Sequence, residues 1–524
     1  MELVTAAEMR ALDRAAIEER RIPGLRLMEN AGKAVVEEME RQFGRLRDRT
    51  VTVVSGKGQN GGDGFVVARI LRHRGCRIRV VLLAPVTQLT GDSAKTFRKY
   101  KQAGGRTYQV PDEASVAGIE SLVRESEILV DGIFGTGLNA PVHGTAAGII
   151  NLMNKSRRRI VAIDLPSGLH ADTGEVLGTA VQAFLTVTLA RPKRGLYLGE
   201  GPNIAGIIRI ADIGIPPEVI ARAKIPLQLL DAASVRALFP TRKRAAHKGS
   251  FGHAGIIAGS SGKTGAAAMA AFGALRVGAG LVTVSIPEGL NAILEAKLLE
   301  AMTFPVAETA SHGLAEAAKA SLLGFAATKT ALAIGPGIGG EAETIGLVHD
   351  LITEIKQPLV LDADGINALA GQAQILRRAQ APVILTPHPG EMARLLGTSV
   401  GDVQNDRLGV AGGFAREFNV HVVLKGAGTV IAAPDGALAV NPTGNPGMAT
   451  GGTGDVLTGM IAGFLAQGLA PWDAACAGTY LHGLAGDLAA ARRGEIGMIA
   501  RDLLDAVPEA IRAVQSEENL VQFR

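Results

Sequence analysis

The chain has 524 residues, so two to four domains of the usual ~100–200 residues are expected. Its net charge is only +4 and it carries 14 Phe, 4 Tyr and 1 Trp, so neither a charge-driven nucleic-acid or membrane partner nor a base-stacking platform is expected. Glycine is the outlier at 67 residues, about twice its usual share, but it has no three-residue period, which excludes collagen, and the 47% hydrophobic content excludes disorder.

From the start, Met1 to Arg20 is charged and amphipathic and lacks the apolar core of a signal peptide. Apolar strand candidates follow at Thr50–Ser55, Arg77–Leu83, Ile128–Asp131 and Ile160–Asp164, with helical stretches between them. A second series runs through Gly255–Gly259, Leu281–Ile286, Ala331–Ile334, Pro358–Asp362, Pro382–Thr386 and His421–Leu424. Such alternation predicts α/β architecture with mainly parallel sheets. The proline-rich Ile213–Pro226 separates the two series, giving domains at 1–215 and 229–515 with a linker at 216–228. Ser516–Arg524 is polar and is expected to fray. Cys76 and Cys476 have no CxxC partners and no run of about 18 apolar residues occurs, so a reducing cytoplasm and no membrane span are expected.

In the first series, Thr50–Ser55 runs into Gly56-Lys-Gly-Gln-Asn-Gly-Gly-Asp-Gly64 and then a helix. Glycines there let backbone amides approach an anion, and the helix N-terminus adds partial positive charge. A dinucleotide is one occupant; a tight strand–helix turn and a differently arranged pocket are the others. The second strand ends Val81-Leu-Leu-Ala84, without the acid that a dehydrogenase uses to hold ribose. Asp131-Gly-Ile-Phe-Gly-Thr-Gly-Leu138 and Asp164-Leu-Pro-Ser-Gly168 leave two later strand ends. Ligands bind at the carboxyl ends of such strands, so Asn60, Asp63, Asp131, Asp164 and Ser167 are expected at one rim. Oxygen ligands without Cys or His suit a hard cation such as K⁺ or Mg²⁺.

Leu27-Met-Glu-Asn-Ala-Gly32 and the three loops above resemble, in the same order, the NAD(P)H-hydrate epimerase family. The family interconverts the R and S forms of NAD(P)H carrying a water on the nicotinamide ring. The resemblance implies a Rossmann-like three-layer domain. It implies substrate contacts from Gln59, Asn60, Gly61, Gly62 and Asp63, and from Gly135, Thr136, Gly137, Leu138, Asn139, Ala140 and Pro141. It also implies a K⁺ held by Asn60, Asp131 and Ser167, with Asp164 at the nicotinamide end as the proton-handling residue. Gln59 stands where the family has Asn, so a carboxamide persists.

In the second series, Gly259-Ser-Ser-Gly-Lys-Thr264 imitates a Walker loop, but Ile257 stands where its first Gly is required. The glycine-rich Asn445–Gly459 stretch feeds a helix with Asp455 in the first turn. Amides there can stabilise phosphoryl oxygens while Asp455 accepts a hydroxyl proton. With Lys425-Gly-Ala-Gly-Thr429 this resembles ribokinase-like kinases. His247–His253, Gly335-Pro-Gly337, Asp362–Asn367 and Thr386–Glu391 make it similar, over about 230–510, to the ADP-dependent (S)-NAD(P)H-hydrate dehydratase family. The resemblance implies a ribokinase-like three-layer domain. It places Ala254, Gly337, His388 and Asp455 at the hydrate, and Lys425, Gly426, Ala427, Gly428, Thr429 and Gly454 at ADP. Glu391 takes the place where such enzymes organise Mg²⁺, and His253 has a structural role only.

The implied chemistry is phosphorylation of the ring hydroxyl followed by elimination. (6S)-hydrate and ADP would give NAD(P)H, AMP and phosphate. The expected ligands are therefore the hydrates NADHX and NADPHX, ADP, K⁺ and Mg²⁺, in a homo-oligomer. The alternative is a ribokinase-like small-molecule kinase fused to a non-catalytic dinucleotide-binding domain.

Overall fold

The computed structural model describes residues 1–239 and 241–516, so most of the polar C-terminal segment, 517–524, lies outside the described residues. It divides into two units. Residues 2–226 form one, and Met1 with 227–516 forms the other.

The first unit carries a seven-stranded sheet: β1 Thr50–Ser55, β2 Arg77–Leu82, β3 Thr107–Gln109, β4 Ile128–Gly132, β5 Arg159–Ile163, β6 Leu185–Leu189 and β7 Ile207–Ala211. The order is β3-β2-β1-β4-β5-β6-β7, all parallel. Strands buried on both faces read as continuous apolar runs. Val51 and Val53 of β1 enter one hydrophobic core while Val54 enters another. Ile128 and Val130 of β4 likewise part from Leu129, so the sheet is the middle of three layers. After β1 the chain winds to β2 and β3, then returns to β4 on the other side. That reversal leaves a crevice at the carboxyl ends of β1 and β4. Register places Ser55 opposite Gly132 and Val54 opposite Asp131, so the two glycine loops leave side by side.

The segment 216–228, expected as a linker, contains the helix Pro217–Ala223. Ile213, Ile215, Val219, Ile220 and Ile225 are buried in the first unit's core, and the unit boundary falls after Pro226. Pro216 and Pro217 start this helix rather than breaking structure, because a helix's first turn needs no donor from proline.

The second unit carries ten strands: β8 Leu227–Leu229, β9 His253–Ile257, β10 Leu281–Pro287, β11 Met302–Val306, β12 Ala331–Ile334, β13 Leu359–Leu361, β14 Val383–Leu385, β15 His421–Leu424, β16 Thr429–Ala432 and β17 Leu438–Asn441. Their order is β11-β10-β9-β12-β13-β14-β15-β16-β17-β8. Only the β15–β16 and β16–β17 pairs are antiparallel. Here the reversal lies between β9 and β12, whose ends Ile257 and Ile334 are paired. Among the described residues no helix is long and apolar enough to cross a membrane.

Candidate active sites

In the first unit a cavity of about 880 Å³ opens at the crevice. Gln59, Asn60 and Asp63 line it from the helix Gln59–His73, and Gly135 to Ala140 from the loop after β4. Pro141, Gly61 and Gly62 lie outside its lining. Gly61 and Gly56 serve backbone packing instead. A Cβ at Gly61 would sit 2.0 Å from the Gly56 carbonyl oxygen, and one at Gly56 would sit 2.2 Å from that of Ile133. Gly62 packs on Met28.

Asp131 and Ser167 are buried outside the cavity lining. Ser167 donates its N–H to Asp131 Oδ2 (2.7 Å) and its hydroxyl to Oδ1 (2.6 Å). Ile133 N–H donates to Oδ1 at 3.1 Å. Burial pushes the Asp131 carboxyl up to about 6, against these hydrogen bonds. Asn60 Nδ2 donates to the Phe134 carbonyl (2.8 Å), and the Phe134 N–H donates to Ser167 Oγ (2.8 Å). Asn60, Asp131 and Ser167 are thus gathered round Phe134. No described cluster of three or more His, Cys, Asp or Glu could hold a metal ion. A mixed set of carboxylate, hydroxyl, amide and carbonyl oxygens, with no cationic side chain bonded to the buried Asp131, fits a weakly polarising cation such as K⁺.

Asp164 follows β5 in left-handed backbone, φ +67°. Its Oδ1 accepts from Leu189 N–H (3.1 Å), from Thr188 Oγ1 (3.2 Å) and from Lys193 Nζ. Lys193 is 1% exposed and also donates to the Leu189 carbonyl at 2.8 Å. It lines the cavity, as does Asp13 of the helix Ala6–Glu18. Neither was legible as a site residue. Lys193 sits in Arg-Pro-Lys-Arg, which reads as a solvated basic run, and Asp13 sits in an ordinary amphipathic helix. Asp63 is buried, and burial followed by the charges of Asp164 and Asp13 drives its carboxyl well above the usual range, with Lys193 opposing.

In the second unit, the helix Thr453–Ala466 begins after Gly452, whose φ is +94°. Asp455 lies half-buried in its first turn. Burial raises its pKa to about 7; Asp362, Asp364 and Glu391 add to the rise and Lys425 opposes it. Lys425 Nζ donates to Asp362 Oδ1 (2.8 Å), and Thr458 Oγ1 donates to Asp362 Oδ2 (2.6 Å). Burial disfavours the Lys425 ammonium, but the carboxylates of Asp362, Glu391 and Asp455 outweigh it and hold its pKa above the ordinary value. A Cβ on Gly454 would stand 3.4 Å from Lys425 Nζ, so glycine keeps the space over the helix end open.

Three further residues brace this site without any local motif. Arg407 is 9% exposed and donates to the carbonyls of Leu424 (2.9 Å), Lys425 (3.2 Å) and Ala427, fixing the Lys425–Thr429 turn. His482, held neutral by burial with a pKa of about 4, donates Nε2–H to the Thr453 carbonyl at 2.8 Å. Ala266 faces Gly337, its Cβ 3.3 Å from where a Gly337 side chain would begin.

Other expected contacts fall differently. Ala254 is the second residue of β9, fully buried in the core and paired with Ala331, so it is not at the rim. His388 is exposed but caps the helix Pro389–Leu396 through Nδ1, which accepts from Gly390 N–H (2.9 Å) and Glu391 N–H (3.2 Å). Glu391 Oε2 accepts the His388 N–H at 2.7 Å, and Oε1 lies 3.5 Å from His388 Nε2. Oε2 is held by the cap while Oε1 makes no hydrogen bond among the described residues, which leaves one carboxylate oxygen for Mg²⁺. Lys263 of the Walker-like loop pairs with Asp364 (3.0 Å), and His253 bonds Thr283 Oγ1 (2.7 Å) in a structural role.

Family models match both halves: the YjeF-related protein N-terminus over 24–195 and NAD(P)H-hydrate dehydratase over 254–509. The bifunctional NAD(P)H-hydrate repair enzyme Nnr of Moorella thermoacetica is 47% identical over 518 residues, 99% of this chain and 98% of that protein. The chain belongs to the bifunctional NAD(P)H-hydrate repair enzymes. The Escherichia coli member is 34% identical, over 94% of this chain and 90% of its own. The ADP/ATP-dependent NAD(P)H-hydrate dehydratase of Bacillus subtilis, co-crystallised with ATP and Mg²⁺, is 35% identical with a TM-score of 0.48. It covers 55% of this chain and 98% of its own. Membership bears out the expected Rossmann-like and ribokinase-like halves, which the two sheets display strand by strand.

Proposed function

We propose that the first unit epimerises the R and S hydrates of NADH and NADPH, and that the second dehydrates the S hydrate with ADP. The observation that carries this reading is Asp455 on a glycine-opened helix start, its carboxyl poised near neutrality by burial and by the charges of Asp362 and of the Lys425 that Asp362 binds. Asp455, poised near neutrality, takes the proton of the ring hydroxyl as that oxygen attacks the terminal phosphoryl group of ADP. Lys425 and the first amides of the helix balance charge developing on the phosphoryl oxygens. Asp362 and Thr458 hold the Lys425 ammonium in place. AMP leaves in that transfer; loss of phosphate from the ring carbon, with the proton of the adjacent ring carbon passing to solvent, then restores the dihydropyridine. Mg²⁺ bound to the nucleotide would neutralise phosphate charge, with Glu391 and the nearby Asp362 as the chain's contribution. Lys425 to Thr429 and Gly454 hold the nucleotide, while Gly337 and His388 flank the hydrate.

In the first unit the loop Gly135–Ala140 with Gln59, Asn60 and Asp63 holds the dinucleotide, and Asp164, tethered by Lys193, handles the proton at the reacting ring. Asn60, Asp131 and Ser167 would hold K⁺, whose charge would offset the buried Asp131 carboxylate.

The test mixes chemically hydrated NADH with the full chain, Mg²⁺ and ADP. The expected result is recovery of the reduced-nicotinamide absorbance with release of free phosphate. A stable phosphorylated product instead would support a small-molecule kinase; no reaction with ADP or ATP would remove the dehydratase reading.

A further inference from the structure

One carboxylate in the first unit's cavity is unexplained by any motif. Met9, Leu12 and Ala16 form the buried stripe of the helix Ala6–Glu18. Asp13 lies four residues after Met9 and three before Ala16, so the helical period puts it beside that apolar stripe. Among the described residues it makes no hydrogen bond and no ion pair. A half-buried, unpartnered carboxylate on an inward stripe is unfavourable unless a ligand meets it. It lines the same cavity as Asp164 and Lys193, but from a helix instead of a strand end.

We propose that Asp13 is a second catalytic acid–base residue of the epimerase, serving the ring hydroxyl while Asp164 serves the water that replaces it. The assignment rests on the epimerase reading above. Epimerisation must break and remake one C–O bond next to the ring nitrogen. Asp13 as the acid gives its proton to the hydroxyl oxygen, and the C–O bond breaks with its electron pair leaving on water. The nitrogen lone pair forms the N=C bond of an iminium ion. Water then attacks that carbon from the opposite face, the π pair returns to nitrogen, and the surplus proton passes to the Asp164 carboxylate. No oxidant or reductant is needed. The reverse direction uses the two groups in exchanged roles. The three bonds on Asp164 all fall on Oδ1, which leaves Oδ2 for the water.

The charges around Asp13 agree with an acid that can keep its proton near neutrality. Burial raises its pKa to about 6, Lys193 opposes and Asp164 adds. Arg10 on its own helix, Lys57 of the glycine loop, Asp63 and Asp92 also line the cavity.

The experiment uses the full chain with purified R hydrate, following S hydrate by chromatography, and assays dehydration of S hydrate on the same samples. Asp13→Asn is expected to lower the epimerisation kcat by about 10²–10³-fold with KM little changed, as for loss of one acid–base group. Asp13→Glu should restore part of that rate, and dehydration should stay at the wild-type level in both. The alkaline limb of the R-to-S pH–rate profile should vanish in Asp13→Asn. Epimerisation within about threefold of wild type, a loss confined to KM, or an unchanged alkaline limb overturns the assignment. Failure of the wild-type chain itself to convert R hydrate would overturn the epimerase reading, and this is seen before any variant is compared.

Discussion

The proposed chemistry turns on two acid–base centres, and each is set by its neighbours. Asp455 must be ionised to accept a proton, and its raised pKa of about 7 leaves much of it protonated in mild acid. The kcat/KM for dehydration should therefore fall about tenfold for each pH unit below 7, measured at saturating ADP. A rate flat from pH 5 to 8 would exclude Asp455 as the base. Lys193 and Asp164 form a buried pair, so Lys193→Met leaves a desolvated carboxylate without its partner. The expected loss is about 3–5 kcal/mol in denaturant unfolding of the first unit. Asn60 and Asp455 stand beside glycines at helix starts and Asp164 opens Asp-Leu-Pro-Ser-Gly after a strand, so each is singled out by its sequence. Lys193, Asp13, Arg407 and His482 are not, since tertiary packing brings them in from helices and turns with no signature of their own.

At the scale of elements, the first site lies where its sheet reverses its winding, and the second gathers Asp362 after β13, Lys425 after β15 and Asp455 at a helix start. Apolar runs such as Thr50–Ser55 and Ala331–Ile334 matched observed strands because strands buried on both faces leave continuous apolar sequence. β3 and β8 have only three residues each, and β11 is a partly exposed edge strand containing Pro305. Such short or interrupted runs carry little periodic signal. The antiparallel β16 and β17 extend the sheet beyond the expected series, which ends at His421–Leu424; at four residues each they also carry little periodic signal. The paired ends of β1 and β4 also set a prediction about K⁺. Asp131 is held by neutral donors alone, and burial disfavours its charge. Replacing K⁺ with tetramethylammonium at pH 8 should lower the first unit's Tm by about 2–4 °C, the shift expected for 1 kcal/mol in a unit of this size. Asp131→Asn should lose that dependence; a wild-type Tm indifferent to the cation would remove the K⁺ assignment.

Across the whole molecule, two separate cores carry two separate sites that need the same damaged dinucleotide. Division of labour follows from their chemistry: the first unit breaks and remakes a C–O bond without a phosphoryl donor, and the second consumes the donor. Glycine excess is legible in both as loops at strand ends. The most direct measurement starts from pure R hydrate with ADP and Mg²⁺, comparing the wild-type chain with Asp455→Asn. The wild type should yield reduced dinucleotide, while Asp455→Asn should equilibrate R and S hydrates and yield none. Loss of both reactions in a folded Asp455→Asn chain, or reduced dinucleotide formed at the wild-type rate by it, would contradict the two-site account.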